Sequence, residues 1–141
     1  MDKNERDSEL MSSLDTIPVN LEAATGNVEP LLHEIRHALK RLAKGEEGTV
    51  IDLRGLPLAP GEEERIEAAL GEGEVHAELQ ALGPTLVQET SYPGVWLVTH
   101  RNADDVVIAR MIEVTHMPEI LMSQREDILR GINKLESELQ E

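Results

Sequence analysis

Glu74-Val75-His76-Ala77-Glu78-Leu79-Gln80-Ala81-Leu82 is the stretch that decides the fold. Val75, Ala77, Leu79 and Ala81 alternate with Glu74, His76, Glu78 and Gln80, which is the period of a strand with one wet face. A turn at Gly83-Pro84 leads into Leu86-Val87-Gln88-Glu89-Thr90. A second turn, Ser91-Tyr92-Pro93-Gly94, leads to a strand from Val95 to His100. Asn102 to Asp105 turns the chain again before a longer strand from Val106 to Thr115. Glycine, proline and Asx residues supply the turn geometries, and connections this short predict a four-stranded antiparallel meander.

Upstream the period lengthens to that of a helix. Val28, Leu31, Leu32, Ile35, Leu39 and Leu42 make one apolar stripe. Thr25 or Asn27 caps it, Pro30 falls in the tolerant first turn, and Gly45 ends it. Thr49 to Leu53 reads as a short strand. Glu62 to Leu70 reads as a second helix, with Glu62, Glu63 and Glu64 set against the positive end of its dipole. The strand–helix–strand connection predicts one parallel pair between the first strand and the meander. Beyond Pro118, Ser123-Gln124-Arg125-Glu126 has the spacing of a capping box. Ile128, Ile132, Leu135 and Leu139 then form a narrow 4-3-4 seam, suited to the sheet or to a partner helix. The expected fold class is α+β: a mostly antiparallel sheet of about five strands with helices packed on it. Residues 1–24 are expected to be a flexible tail, and 25–141 a single domain.

With 141 residues the chain has room for one modest core, and the absence of Phe makes that core aliphatic. A formal net charge of −15 excludes a phosphate-backbone binder and disfavours an anionic membrane surface. It suits a basic protein segment as partner, although solubility alone also accounts for an acidic surface. The chain contains no cysteine, so disulfides, thiolate nucleophiles and cysteine-ligated metals are excluded. No apolar run approaches the ~20 residues of a bilayer span. The charged start, Met1 to Glu9, lacks the apolar core of a secretory signal. A cytoplasmic location is expected.

His33-Glu34-Ile35-Arg36-His37 matches the H-E-x-x-H zinc-peptidase pattern, in which two His one turn apart hold zinc and Glu polarises a water. Ile35, however, is the centre of the apolar stripe, so at ~100° per residue both His point away from the core. The expectation is therefore exposed histidines and no metal, with a small zinc hydrolase as the alternative. Glu74, His76 and Glu78 form a row with metal-binding or acid–base chemistry, but a solvated strand face, which alternation predicts on its own, is the preferred reading. No serine elbow or phosphate loop is present, and no cofactor is expected. Trp96 is either a core anchor or an interface residue.

One ordered set of segments stands out. Leu70-Gly71-Glu72-Gly73-Glu74-Val75 is followed by Gln88-Glu89-Thr90, by Tyr92-Pro93-Gly94-Val95-Trp96, and by Ile112-Glu113-Val114 with Pro118 shortly after. Leu56-Pro57-Leu58 and the acidic helix precede them. This set resembles the C-terminal region of the HupH/HyaF family of hydrogenase expression/formation proteins, from about Gly48 to about Asp127. The resemblance implies a non-enzymatic, chaperone-like role in NiFe-hydrogenase maturation, with the small-subunit precursor as partner before assembly and export. The basic signal region of such a precursor would be attracted by a −15 chain. The family carries no catalytic residues over. Glu72, Glu74, Gln88, Glu89, Thr90 and Trp96 are expected to bind the partner, with Glu74, Gln88, Glu89 and Trp96 sharing one surface. The 128–139 seam also suits a homodimer.

Overall fold

A computed structural model describes residues 26–80 and 83–140. The tail expected over residues 1–24, the Thr25 cap, and Ala81 and Leu82 lie outside the described residues. Helix α1 spans Val28–Ala43, strand β1 Thr49–Asp52, helix α2 Glu62–Leu70 and strand β2 His76–Gln80. Strands β3 (Pro84–Glu89), β4 (Val95–Arg101) and β5 (Val107–Val114) follow, and helix α3 is Arg125–Leu139. One turn of 3₁₀ helix sits at Leu53–Gly55 and another at Glu119–Leu121.

The sheet order is β1-β5-β4-β3-β2, and every neighbour is antiparallel. The meander is therefore as expected. The parallel pair is not: β1 lies against β5, with Val50 opposite Glu113. α2 carries the chain from one edge of the sheet to the other, so β1 and β2 never meet.

The two faces of the sheet differ. On the helical face, Leu31, Ile35, Ala38 and Leu42 of α1 and Ile66 and Leu70 of α2 pack on Ile51, Val95, Leu97, Ile112 and Val114. Burying this aliphatic set is the main stabilising term. The other face carries a smaller cluster, Val87, Trp96 and Val98, on which Leu121 from the second 3₁₀ turn packs with Ala77 and Leu79.

The capping box at Ser123 does not form. The residue flanking α3 is Gln124, and it makes no side-chain cap bond. All fifteen residues of α3 are exposed. Ile128, Leu129, Ile132, Leu135 and Leu139 are each 45–60% accessible. This helix is therefore not among those packed on the sheet. Leu121 already occupies the apolar patch beside Trp96, and the seam is left facing water.

Candidate functional site

α2 lies across the helical face with Ile66 and Leu70 buried, which turns Glu63, Glu64 and Glu67 toward the sheet beyond. Arg110 rises from β5 to meet it. One guanidinium nitrogen is 3.1 Å from Glu63 Oε2 and another 3.2 Å from Glu67 Oε1, and the Arg110 side chain is only 14% exposed. A half-buried ion-paired network of this kind holds α2 more firmly than surface pairs do. It also fixes the wall of a groove between α2 and strands β3 and β4.

The groove has two ends. The first, ≈ 330 Å³, is lined by Glu64, Glu67, Glu72, Gln88, Glu89 and neutral neighbours, with no cation among them. The second, ≈ 470 Å³, shares Glu64, Glu67 and Gln88 with the first and adds Arg54, Arg101 and Arg110. The shared residues make the two ends continuous. Among the described residues Glu64 and Glu72 form no ion pair, whereas Glu67 is shared with Arg110. The first end therefore carries uncompensated negative charge above a floor of Gln88 and Leu97.

Of the residues expected to bind a partner, Glu72, Gln88, Glu89 and Thr90 border this acidic end, although the alternation of β3 puts Glu89 on the sheet face opposite that of Gln88. Glu74 is exposed at its rim, and its N–H donates to Glu89 Oε1 at 3.4 Å. Thr90 is buried, and its hydroxyl donates to Val95 O (2.9 Å) and accepts from Tyr92 N–H (3.1 Å). It locks the turn beneath the groove. Gly73 lies so close to the next strand that an added Cβ would stand 2.3 Å from Thr90 O, which explains glycine there without a binding role.

Trp96 is not on this surface. Gln88 pairs with Leu97 on the helical face, whereas Trp96 pairs with Glu89 and Glu113 on the other. The shared surface expected for Gln88 and Trp96 is not formed, because neighbouring positions along a strand face opposite ways. Trp96 is 5% exposed, and its indole N–H donates to Thr115 O at 3.1 Å. Beside it, burial pushes the Glu113 carboxyl above its ordinary pKa. Nearby His100 acts in the opposite direction, and Glu119 adds to the rise.

The histidine motif sits as its phase requires. Ile35 is buried, His33 and His37 are exposed, and His33 Nε2 lies 3.9 Å from Glu29 of the same helix. Among the described residues no three His, Asp or Glu side chains converge as metal ligands. His100 Nδ1 is 2.9 Å from Thr85 Oγ1. Sequence reasoning passed over Glu64, Glu67 and Arg110. Glu67 was legible from the spacing of Ile66 and Leu70, which places it on the flank of the buried stripe; Glu64, about 160° from that stripe, was not. Arg110 needed the strand register.

Comparison with known proteins bears on the same region. Residues 25–141 match the family described as HupH hydrogenase expression protein, C-terminal conserved region. The hydrogenase expression/formation protein HoxQ of Azotobacter vinelandii is 33% identical over 104 residues, covering 72% of this chain and 37% of that protein. HupH of Rhizobium leguminosarum bv. viciae is 31% identical over 105 residues, covering 74% and 37%. The chain thus spans little more than a third of the length of these curated relatives. The solved structure of hydrogenase expression protein HupH from Thiobacillus denitrificans superposes with a TM-score of 0.78 at 42% identity, over 84% of this chain and 98% of that one.

Proposed function

The chain belongs to the family of HupH hydrogenase expression proteins, through their C-terminal conserved region, and we propose that it is a non-enzymatic accessory factor that binds the NiFe-hydrogenase small-subunit precursor. The family assigns an accessory role in making hydrogenase. The observation that carries the finer reading is the acidic end of the groove, where Glu64 and Glu72 form no ion pair among the described residues and stand over Gln88. An uncompensated anionic cleft attracts a cationic segment and accelerates encounter with it. The basic signal region of the precursor is such a segment. The encounter belongs in the cytoplasm, before export. No helix among the described residues is long and apolar enough to cross a membrane.

Capture of purified precursor, with and without its signal segment, tests this reading. The intact precursor is expected to bind at least about tenfold more tightly, a difference of ~1.4 kcal/mol, with affinity falling as salt rises. A Glu64→Lys/Glu72→Lys variant should lose that advantage while keeping its melting temperature, since both side chains are exposed. Equal capture of the two forms would discard the signal region as the contact.

α3 supports a second association, with another copy of the chain. The 4-3-4 seam reads the same in both directions, so a two-fold axis sets Ile128 against Leu139 and Ile132 against Leu135. Arg125, Arg130 and Lys134 nearly balance Glu126, Asp127, Glu136 and Glu138 in a chain of net −15, so repulsion between copies is least here. A helix of this length is only ~22 Å long. The contact therefore falls short of the ~800 Å² per partner of a stable complex, and the dimer should be weak. Light scattering is expected to show a concentration-dependent dimer that Leu135→Glu abolishes.

A further inference from the structure

β2 is the outermost strand of the sheet, and among the described residues β3 is its sole strand partner. The phase of its backbone is set by two bonds. Glu89 N–H donates to Val75 O at 2.9 Å and Glu89 O accepts from Gly73 N–H at 2.8 Å, so both main-chain groups of Glu89 face this side. In an antiparallel ladder such residues alternate. Ala77, opposite Val87, and Leu79, opposite Thr85, therefore direct their N–H and C=O groups at β3. His76, Glu78 and Gln80 direct theirs outward. Pro84, which has no N–H, sits opposite Gln80, as this phase requires.

Open edges are usually blunted by lysine, proline, a bulge or a covering element. β2, His-Ala-Glu-Leu-Gln, has no lysine or proline, and its five pairings with β3 run in unbroken register. What surrounds it is negative charge. Glu72, Glu74 and Glu78 are exposed along this side of the molecule, and none forms an ion pair among the described residues. Such an edge repels a second copy of an acidic chain and admits a cationic strand.

We infer that the free edge of β2 accepts an extended client segment that alternates cationic and aliphatic residues, as a sixth strand of the sheet. The alternation follows from the faces. On the helical side, residues of an added strand stand beside His76, Glu78 and Gln80, on the side of the acidic groove, where Lys or Arg finds Glu78 across the strands. On the other side they stand beside Ala77 and Leu79, which pack with Val87, Trp96 and Val98 and present an apolar margin. Main-chain bonds supply affinity and the alternating side chains supply selectivity, as in other strand-addition complexes. This inference rests on the reading that the chain binds a basic client, and it adds how the client is held.

The test uses the full chain and a nine-residue peptide alternating Arg and Val, against a peptide of the same composition with the Arg and Val in blocks. The alternating peptide should bind about tenfold more tightly and slow amide exchange at His76, Glu78 and Gln80 by a similar factor. N-methylation of every second peptide residue should abolish binding in one phase and spare it in the other, because only one set of N–H groups faces β2. Glu78→Lys should lower affinity about tenfold. Equal binding of both peptides with unchanged exchange at the three amides would overturn strand addition. It would leave groove binding of the precursor standing. Slowed exchange with the peptide but no capture of the precursor would instead uphold the edge and remove the hydrogenase client.

Discussion

Glu62→Ala is expected to destabilise the protein by about 3–5 kcal/mol, the cost of leaving one buried and two half-buried main-chain donors without their carboxylate acceptor. Glu62 is 0% exposed although it opens a helix on the flank of the sheet. One carboxylate oxygen accepts from Ala59 N–H at 2.8 Å, which closes the turn before α2. The other accepts from Gly26 N–H at 3.0 Å and Asn27 N–H at 3.3 Å, and lies 3.6 Å from an Arg65 nitrogen. A single side chain thus joins the start of α1 to the start of α2. Total stability of a domain is about 5–15 kcal/mol, so the loss should lower the melting temperature by roughly 10–20 °C. Thermal unfolding followed by circular dichroism measures it. Glu62→Gln keeps the shape but turns an NH₂ toward one of the donors, and should fall between the two. A melt for Glu62→Ala within about 1 kcal/mol of the parent would show that these bonds contribute little net stability.

Trp96→Ala is expected to cost about as much, 3–5 kcal/mol, by leaving a cavity beneath Leu121. It also removes the indole donor from Thr115 O. The effect should be on folding and not on client capture. Trp96 lies on the face of the sheet opposite Gln88, so Trp96→Phe, which refills most of the volume, should bind the precursor as the parent does at temperatures where both are folded. A folded Trp96→Phe protein that failed to capture the precursor would return Trp96 to the interface. As the only tryptophan in the chain, it also reports its own environment. Its buried emission should shift to the red in the same transition that circular dichroism detects.

The meander was legible because strict alternation and turn residues reinforce each other between residues 74 and 115. The place of β1 was not. Thr49 to Leu53 signals a strand, but nothing in its pattern says which edge it joins, and α2 carries the following chain across the whole face to the far side. The shared face expected for Gln88 and Trp96 was missed in a similar way. Gln88, Glu89 and Trp96 lie on adjacent strands, yet only the register decides that Glu89 and not Gln88 shares a face with Trp96, and a slip of one residue reverses that answer. Glu62 carried a signal that went unused. Its spacing to Ile66 and Leu70 continues the buried stripe of α2, which distinguishes it from Glu63 and Glu64.

The sheet order also divides the folding reaction. Among themselves β2 to β5 pair only with sequence neighbours, so the meander closes short loops and can form early. β1 must wait, because residues 49–52 find their places only against residues 111–114. On a ribosome, α1 and β1 emerge before the meander that α1 packs on, and β1 has no strand to pair with until β5 follows. The aliphatic row Leu31, Ile35, Ala38 and Leu42 is therefore the part of the nascent chain most in need of protection during synthesis.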